Sequence, residues 1–194
     1  LLNLLYSTNQ FGSLKYLNMP FILSPNLSKL IPKKTILKKE RLHKDGIMFD
    51  LESPEAFDEF FFKIYSKNEE FHEFKKLIRL ILKSQNKERY LSKNNLNYKR
   101  ADQLMSLFPN SKFLITIREP YQHSYSLLKQ HINFLDLQTK DNFIRNYMNY
   151  LNHNEFGIDH IPWNNPIEHK NTKDINYWLE QWILFYQNIF DKYS

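Results

Sequence analysis

Lys93 and Arg118 are the residues whose type and placement could do chemistry. Each closes a short stretch that reads as a β-strand: Arg89-Tyr90-Leu91-Ser92 runs into Lys93, and Lys112-Phe113-Leu114-Ile115-Thr116-Ile117 runs into Arg118. The second stretch is apolar and β-branched and has no helical period, which marks a buried strand. In an open parallel sheet ligands bind outside the carboxyl ends of the strands. If these two strands are neighbours, a lysine and an arginine point into one crevice. Pro120 opens a helix directly afterwards, so that helix's first amides and positive dipole end are expected beside the same crevice. Ser126, eight positions after Arg118, could add a hydroxyl donor. A guanidinium suits bidentate phosphate recognition and an ammonium serves as a point charge. A cation at a strand end is more often simply solvated, so it is the joint spacing that points to an anion-binding α/β domain.

The elements that must position these residues follow from periodicity and punctuation. Leu1 to about Gln10 reads as the end of an apolar helix, and residues 11–50 read as irregular, with Pro20, Pro25 and Pro32 as breakers. Ser53-Pro54-Glu55 predicts a helix start, with Ser at the N-cap and Pro in the first turn, running to about Tyr65. A second helix is expected from about Glu69 to Gln85, where Phe71, Phe74, Leu77, Ile78, Ile81 and Leu82 keep helical spacing. Further helices are expected at about 98–108, 120–138, 140–152 and 174–192. In the last, Ile175, Trp178, Trp182, Phe185 and Ile189 form one stripe. The alternation of strand and helix between residues 89 and 138 predicts a βαβ unit with a parallel sheet.

Composition bounds the rest. The 194 residues suit a single domain, and 42% hydrophobic with 16% aromatic residues can build a core. The absence of cysteine excludes a disulfide framework, a thiolate nucleophile and a zinc–thiolate site. It fits a reducing compartment, and a cytoplasmic location is expected. The net charge of +6 suggests an anionic partner. No apolar run approaches the roughly 20 residues of a membrane span.

The segments that carry the two cations resemble the sulfotransferase family, most strongly over residues 89–131. They are Arg89-Tyr90-Leu91-Ser92-Lys93-Asn94-Asn95, Phe108-Pro109-Asn110-Ser111-Lys112, Ile117-Arg118-Glu119-Pro120 and Ser126-Leu127-Leu128. The stretches Ser53-Pro54-Glu55-Ala56-Phe57-Asp58-Glu59 and Tyr177-Trp178-Leu179-Glu180-Gln181-Trp182 are similar to a bacterial-type branch. The resemblance implies a P-loop-kinase-like, three-layer α/β domain with a short parallel sheet flanked by helices, incomplete at both ends. It implies 3′-phosphoadenosine 5′-phosphosulfate (PAPS) as donor and no metal. Arg118 and Ser126 would bind the donor's 3′-phosphate, and Lys93 would lie near the transferred sulfuryl group. The acceptor would be a hydroxyl or amine of a carbohydrate, lipid or peptide, with no nucleic acid and no transmembrane segment involved.

Asn95 stands where many members have Pro, and Glu119 where many have Asp. The family's glycine-rich 5′-phosphosulfate loop cannot be drawn from Gly12, Gly46 and Gly157. Leu1-Leu2-Asn3-Leu4-Leu5 resembles the helix that follows that loop. The reading is of a fragment, residues 1–194 as one sulfotransferase-like domain, that holds the donor weakly and is inactive alone. Candidate bases are His43, Glu55, Glu59, His123 and His131; His153, Glu155 and His160 match no metal spacing. The run Lys29, Lys33, Lys34, Lys38, Lys39, Arg41 and Lys44 reads as a solvated face or an attractor for an anionic acceptor. Two alternatives stand beside the transferase: another kinase-like nucleotide-binding protein, and a basic nucleic-acid-binding domain. The second sits poorly with aromatics that fall on apolar helix stripes.

Overall fold

A computed structural model describes residues 1–30, 38–40, 48–55, 57–65 and 71–193. His43, Gly46, the start of the helix expected from Glu69 and most of the basic run, including Lys33, Lys34, Arg41 and Lys44, lie outside the described residues. The chain divides into two compact units, Leu1–Lys112 and Phe113–Ser194.

The first unit runs α1 (Leu2–Ser7), β1 (Phe11–Gly12), 3-10 turns at Tyr16–Phe21 and Pro25–Leu30, β2 (Lys39–Glu40), β3 (Met48–Phe49), α2 (Asp58–Ile64), α3 (Phe71–Gln85), β4 (Arg89–Tyr90), a 3-10 turn at Asn97–Arg100 and α4 (Ala101–Leu107). β1 and β4 pair in parallel, Phe11 opposite Arg89 and Gly12 opposite Tyr90. β2 and β3 form a small antiparallel pair. The mixed α/β class with a parallel sheet is thus present, but β4's partner is β1, a segment that the sequence reading left irregular. The ladder continues through side chains: Gln85 donates to the Ser13 carbonyl at 2.7 Å and accepts from the Ser13 amide at 3.2 Å. Helix α3 packs as its period predicts, burying Phe74, Leu77, Ile78 and Ile81 against Phe61 and Leu104.

The helix expected at Ser53 begins later, at Asp58. Residues 53–55 are claimed by the neighbouring segment: the Tyr16 amide donates to the Ser53 carbonyl at 3.2 Å and the Glu55 amide to the Leu14 carbonyl at 3.0 Å. Tertiary backbone bonds overrule the local cap signal.

The second unit consists of an extended lead, 113–118, followed by α5 (Pro120–Lys140), α6 (Asn142–Tyr150), an irregular segment with a cis Asn165–Pro166 bond, and α7 (Ile175–Tyr193). The lead is the main correction to the expected topology. Phe113–Ile117 belongs to no sheet among the described residues, and Phe113, Leu114, Ile115 and Ile117 are exposed. The apolar run has the composition of a buried strand, yet among the described residues it forms no ladder with Arg89–Tyr90, whose parallel partner is Phe11–Gly12. The core of this unit gathers Ile167, Tyr177 and Trp178 with Leu127, Leu128 and Phe156. On α7, Trp178 of the expected stripe is fully buried. Gln181 on the same face is buried too, because its carbonyl accepts from the Trp163 amide at 2.8 Å and the Asn164 amide at 3.2 Å.

Candidate functional site

Lys93 is exposed and lies just beyond β4. The backbone around it is fixed from below by two adjacent carboxylates in the first turn of α2, where acids are favoured by the helix dipole. Asp58 accepts from the Tyr90 hydroxyl at 2.6 Å and from the Ser92 hydroxyl. Glu59 accepts from both terminal nitrogens of Arg100, at 2.7 and 3.0 Å, and from the Asn94 amide at 2.8 Å. The Arg100 guanidinium also lies over the Phe62 ring, 4.1 Å from its centroid. Asp58 and Glu59 are 2% and 5% exposed, so these bonds are made in a largely water-free setting. Burial holds the Asp58 carboxyl above its ordinary range, against the opposing hydrogen bonds from Ser92 and Tyr90. Burial, and then Asp58 itself, push the Tyr90 hydroxyl well up. Sequence reasoning placed Glu59 among candidate bases and passed over Asp58 and Arg100. The signal available was an acidic pair set directly before Phe60-Phe61-Phe62.

Arg118 and Ser126 are both exposed, Arg118 just ahead of α5 and Ser126 on its second turn. The Arg118 segment is tethered to α7, since the Tyr186 hydroxyl donates to the Thr116 carbonyl at 2.6 Å. The expectation that the first amides of α5 face an anion is corrected. Glu119 is the N-cap, and its own carboxylate accepts from the Tyr121 amide at 3.0 Å and the Gln122 amide at 2.6 Å. That end of the helix already holds a negative charge, so side chains rather than those amides are left to meet a ligand. The structure therefore puts Arg118 and Ser126 at one helix start, while Lys93 belongs to the other unit.

The candidate bases fall in varied surroundings. Glu59 is taken up by Arg100 and Asn94. Glu55 accepts from the Tyr16 hydroxyl at 2.8 Å. His131 is 1% exposed and structural: its Nδ1 accepts from the Gly157 amide at 3.2 Å, so Nε2 carries the proton facing the Thr172 hydroxyl at 3.1 Å. Burial, then His160 and Lys173, bring His131 down to about 4. His123 is half-buried with Nδ1 unpartnered among the described residues, and burial followed by Arg118 lowers its pKa. His153 and Glu155 are 3.5 Å apart, whereas His160 turns to the Tyr177 hydroxyl at 2.5 Å.

The sulfotransferase family profile matches residues 25–178, which covers most of the chain and includes Lys93, Arg118 and Ser126. The chain belongs to the sulfotransferase family. Neither a curated protein nor a solved structure gives a significant match. Family membership favours a transferase over the kinase-like and nucleic-acid-binding alternatives. No helix among the described residues is long and apolar enough to cross a membrane.

Proposed function

We propose that this chain is a PAPS-dependent sulfotransferase domain of P-loop-kinase-like architecture, spanning residues 1–194, in which Arg118 and Ser126 bind the 3′-phosphate of the donor and Lys93 acts at the sulfuryl group. The observation that carries the reading is the placement of the motif residues inside the family match. Arg118 and Ser126 stand exposed at one helix start, available to a dianionic phosphate. Seven positions separate Glu119 from Ser126, two helical turns, so the hydroxyl lies on the face that Arg118 leads into.

Sulfuryl transfer, like phosphoryl transfer, is an in-line displacement with charge spread over peripheral oxygens. The acceptor oxygen or nitrogen forms a bond to sulfur as the bond from sulfur to the bridging phosphate oxygen breaks. The acceptor proton leaves to a base and the leaving phosphate gains charge. A lysine ammonium at that oxygen stabilises the charge as it develops. Arg118 and Ser126 contribute by fixing the donor remote from the reacting atoms. The acceptor is a hydroxyl or amine, and the reaction fits a cytoplasmic setting where PAPS is available.

The test is a titration with 3′,5′-diphosphoadenosine followed by NMR. Shifts are expected at Arg118, Ser126 and their neighbours. Arg118→Ala should weaken binding by about 1.5–3 kcal/mol, since charge-assisted hydrogen bonds are lost. A ligand that leaves Arg118 and Ser126 unshifted, or an Arg118→Ala protein with unchanged affinity, removes those residues from the site.

A further inference from the structure

We propose that Asp58 and Glu59 are positioning residues for Lys93. The inference rests on the reading of Lys93 as the residue at the donor's sulfuryl end. Lys93 follows a strand of only two residues, Arg89–Tyr90, so the sheet ladder ends before reaching it. From Leu91 to Asn94 the chain has no regular structure of its own. Four side chains around the lysine are nevertheless tied to two points on α2. Tyr90 and Ser92 donate to Asp58, and Asn94 and Arg100 donate to Glu59. Lys93 sits between a residue held by one carboxylate and a residue held by the next.

A lysine carries its charge on a flexible four-carbon stem and reaches a defined place only if its backbone is held. The carboxylates do the holding from a buried position, 2% and 5% exposed. Burying two neighbouring acids is costly, and apolar residues of similar volume would pack that site at least as stably. What apolar residues could not do is fix the hydroxyl of Ser92 and the amide of Asn94. The donor directions also divide the work. Asp58 receives the hydroxyl protons of Tyr90 and Ser92, while Glu59 has a full cation in Arg100. Lys93 itself is exposed.

The experiment compares two probes by NMR titration of the chain: 3′,5′-diphosphoadenosine and adenosine 3′-monophosphate, which lacks the 5′-phosphate. Their affinity ratio reports the contact at the 5′ end, and the monophosphate alone reports the 3′ end. Lys93→Ala should cut the ratio by about tenfold, as loss of one charge-assisted contact does. Asp58→Asn should cut it by at least about threefold while monophosphate affinity stays within about twofold. Asp58→Asn with Lys93→Ala should fall no further than Lys93→Ala alone. Where Asp58→Asn also loses monophosphate binding through misfolding, Ser92→Ala replaces it and should lower the ratio in the same direction. A wild-type protein that binds neither probe overturns the donor reading and this inference together. A ratio that drops for Lys93→Ala but not for Asp58→Asn or Ser92→Ala overturns the positioning role alone and leaves the donor reading standing.

Discussion

Replacing Arg100 with alanine should destabilise the first unit far more than the loss of a surface charge. The arginine and glutamate side chains of the Arg100–Glu59 pair are 14% and 7% exposed, so the pair is shielded from water on nearly all sides. Arg100→Ala would leave the Glu59 carboxylate buried beside Asp58 without its cation, the Asn94 amide still donating to it. Stranding a buried charge in this way costs about 3–5 kcal/mol, and the lost contact over Phe62 adds about 0.5–1 kcal/mol. Since the site keeps the Asn94 donor and water can enter the space vacated, about 3 kcal/mol is the expected net cost. At a urea slope of about 2 kcal/mol/M the unfolding midpoint should fall by about 1.5 M with the slope unchanged. Trp163, Trp178 and Trp182 all lie in the second unit, so tryptophan fluorescence is blind to this change. Hydrogen exchange of the α3 amides is the suitable readout. Two comparisons sharpen it. Glu59→Gln added to Arg100→Ala should recover part of the loss by removing the stranded charge. Arg145→Ala, which breaks a pair with Asp159 whose side chains are 39% and 31% exposed, should shift the midpoint much less. If Arg100→Ala costs no more than Arg145→Ala, the account of a shielded pair is wrong.

Acid should loosen the second unit through His131. Its folded pKa lies near 4, below the ordinary imidazole value of 6.5, so the unfolded chain binds the extra proton first. Stability is therefore full above pH 6.5 and is lost as the pH falls from 6.5 toward 4, by about 3 kcal/mol at 1.36 kcal/mol per unit. Tryptophan fluorescence across urea gradients reads this directly, and a flat midpoint between pH 7 and 4.5 would count against it. Gly157→Ala should destabilise the same unit by about 1–3 kcal/mol, because φ is +88° and a new Cβ would meet the Gln138 carbonyl oxygen at 2.3 Å. That oxygen accepts from the Ile158 amide at 2.7 Å, so Gln138 cannot move aside freely. Thermal melts would check it, an unchanged midpoint being the refuting result.

The sequence made the helices legible where one apolar face had to be buried. The α3 stripe of Phe74, Leu77, Ile78 and Ile81 could be read from spacing, as could the starts of α5 at Pro120 and α7 near residue 174. It misled where local chemistry met a distant partner. Ser53-Pro54-Glu55 reads as a helix start, yet the Ser53 carbonyl accepts from Tyr16 and the Glu55 amide donates to Leu14. The run Phe113–Ile117 has strand composition, but composition does not specify pairing, and β4 pairs with Phe11–Gly12 instead. In the candidate site the cations were legible because charge at a motif position is visible in one dimension. The bracing role of the acids near Lys93 was not, since Asp58 and Glu59 resemble ordinary acids of a helix start until Tyr90, Ser92, Asn94 and Arg100 fold onto them.

The ladder between β1 and β4 also sets a schedule for synthesis. Its side-chain buttress joins Lys87 to the carbonyl of Asn9, 78 positions away. On a ribosome adding about 5–20 residues per second, the amino-terminal strand waits roughly 4–16 s for its partner to emerge. Joining such distant segments also makes for slow folding, because chain entropy is spent before the contact is gained. Until then Phe11 and Leu14 remain open to wrong neighbours, so the nascent chain is most in need of a chaperone while the stretch between residues 11 and 90 is being made.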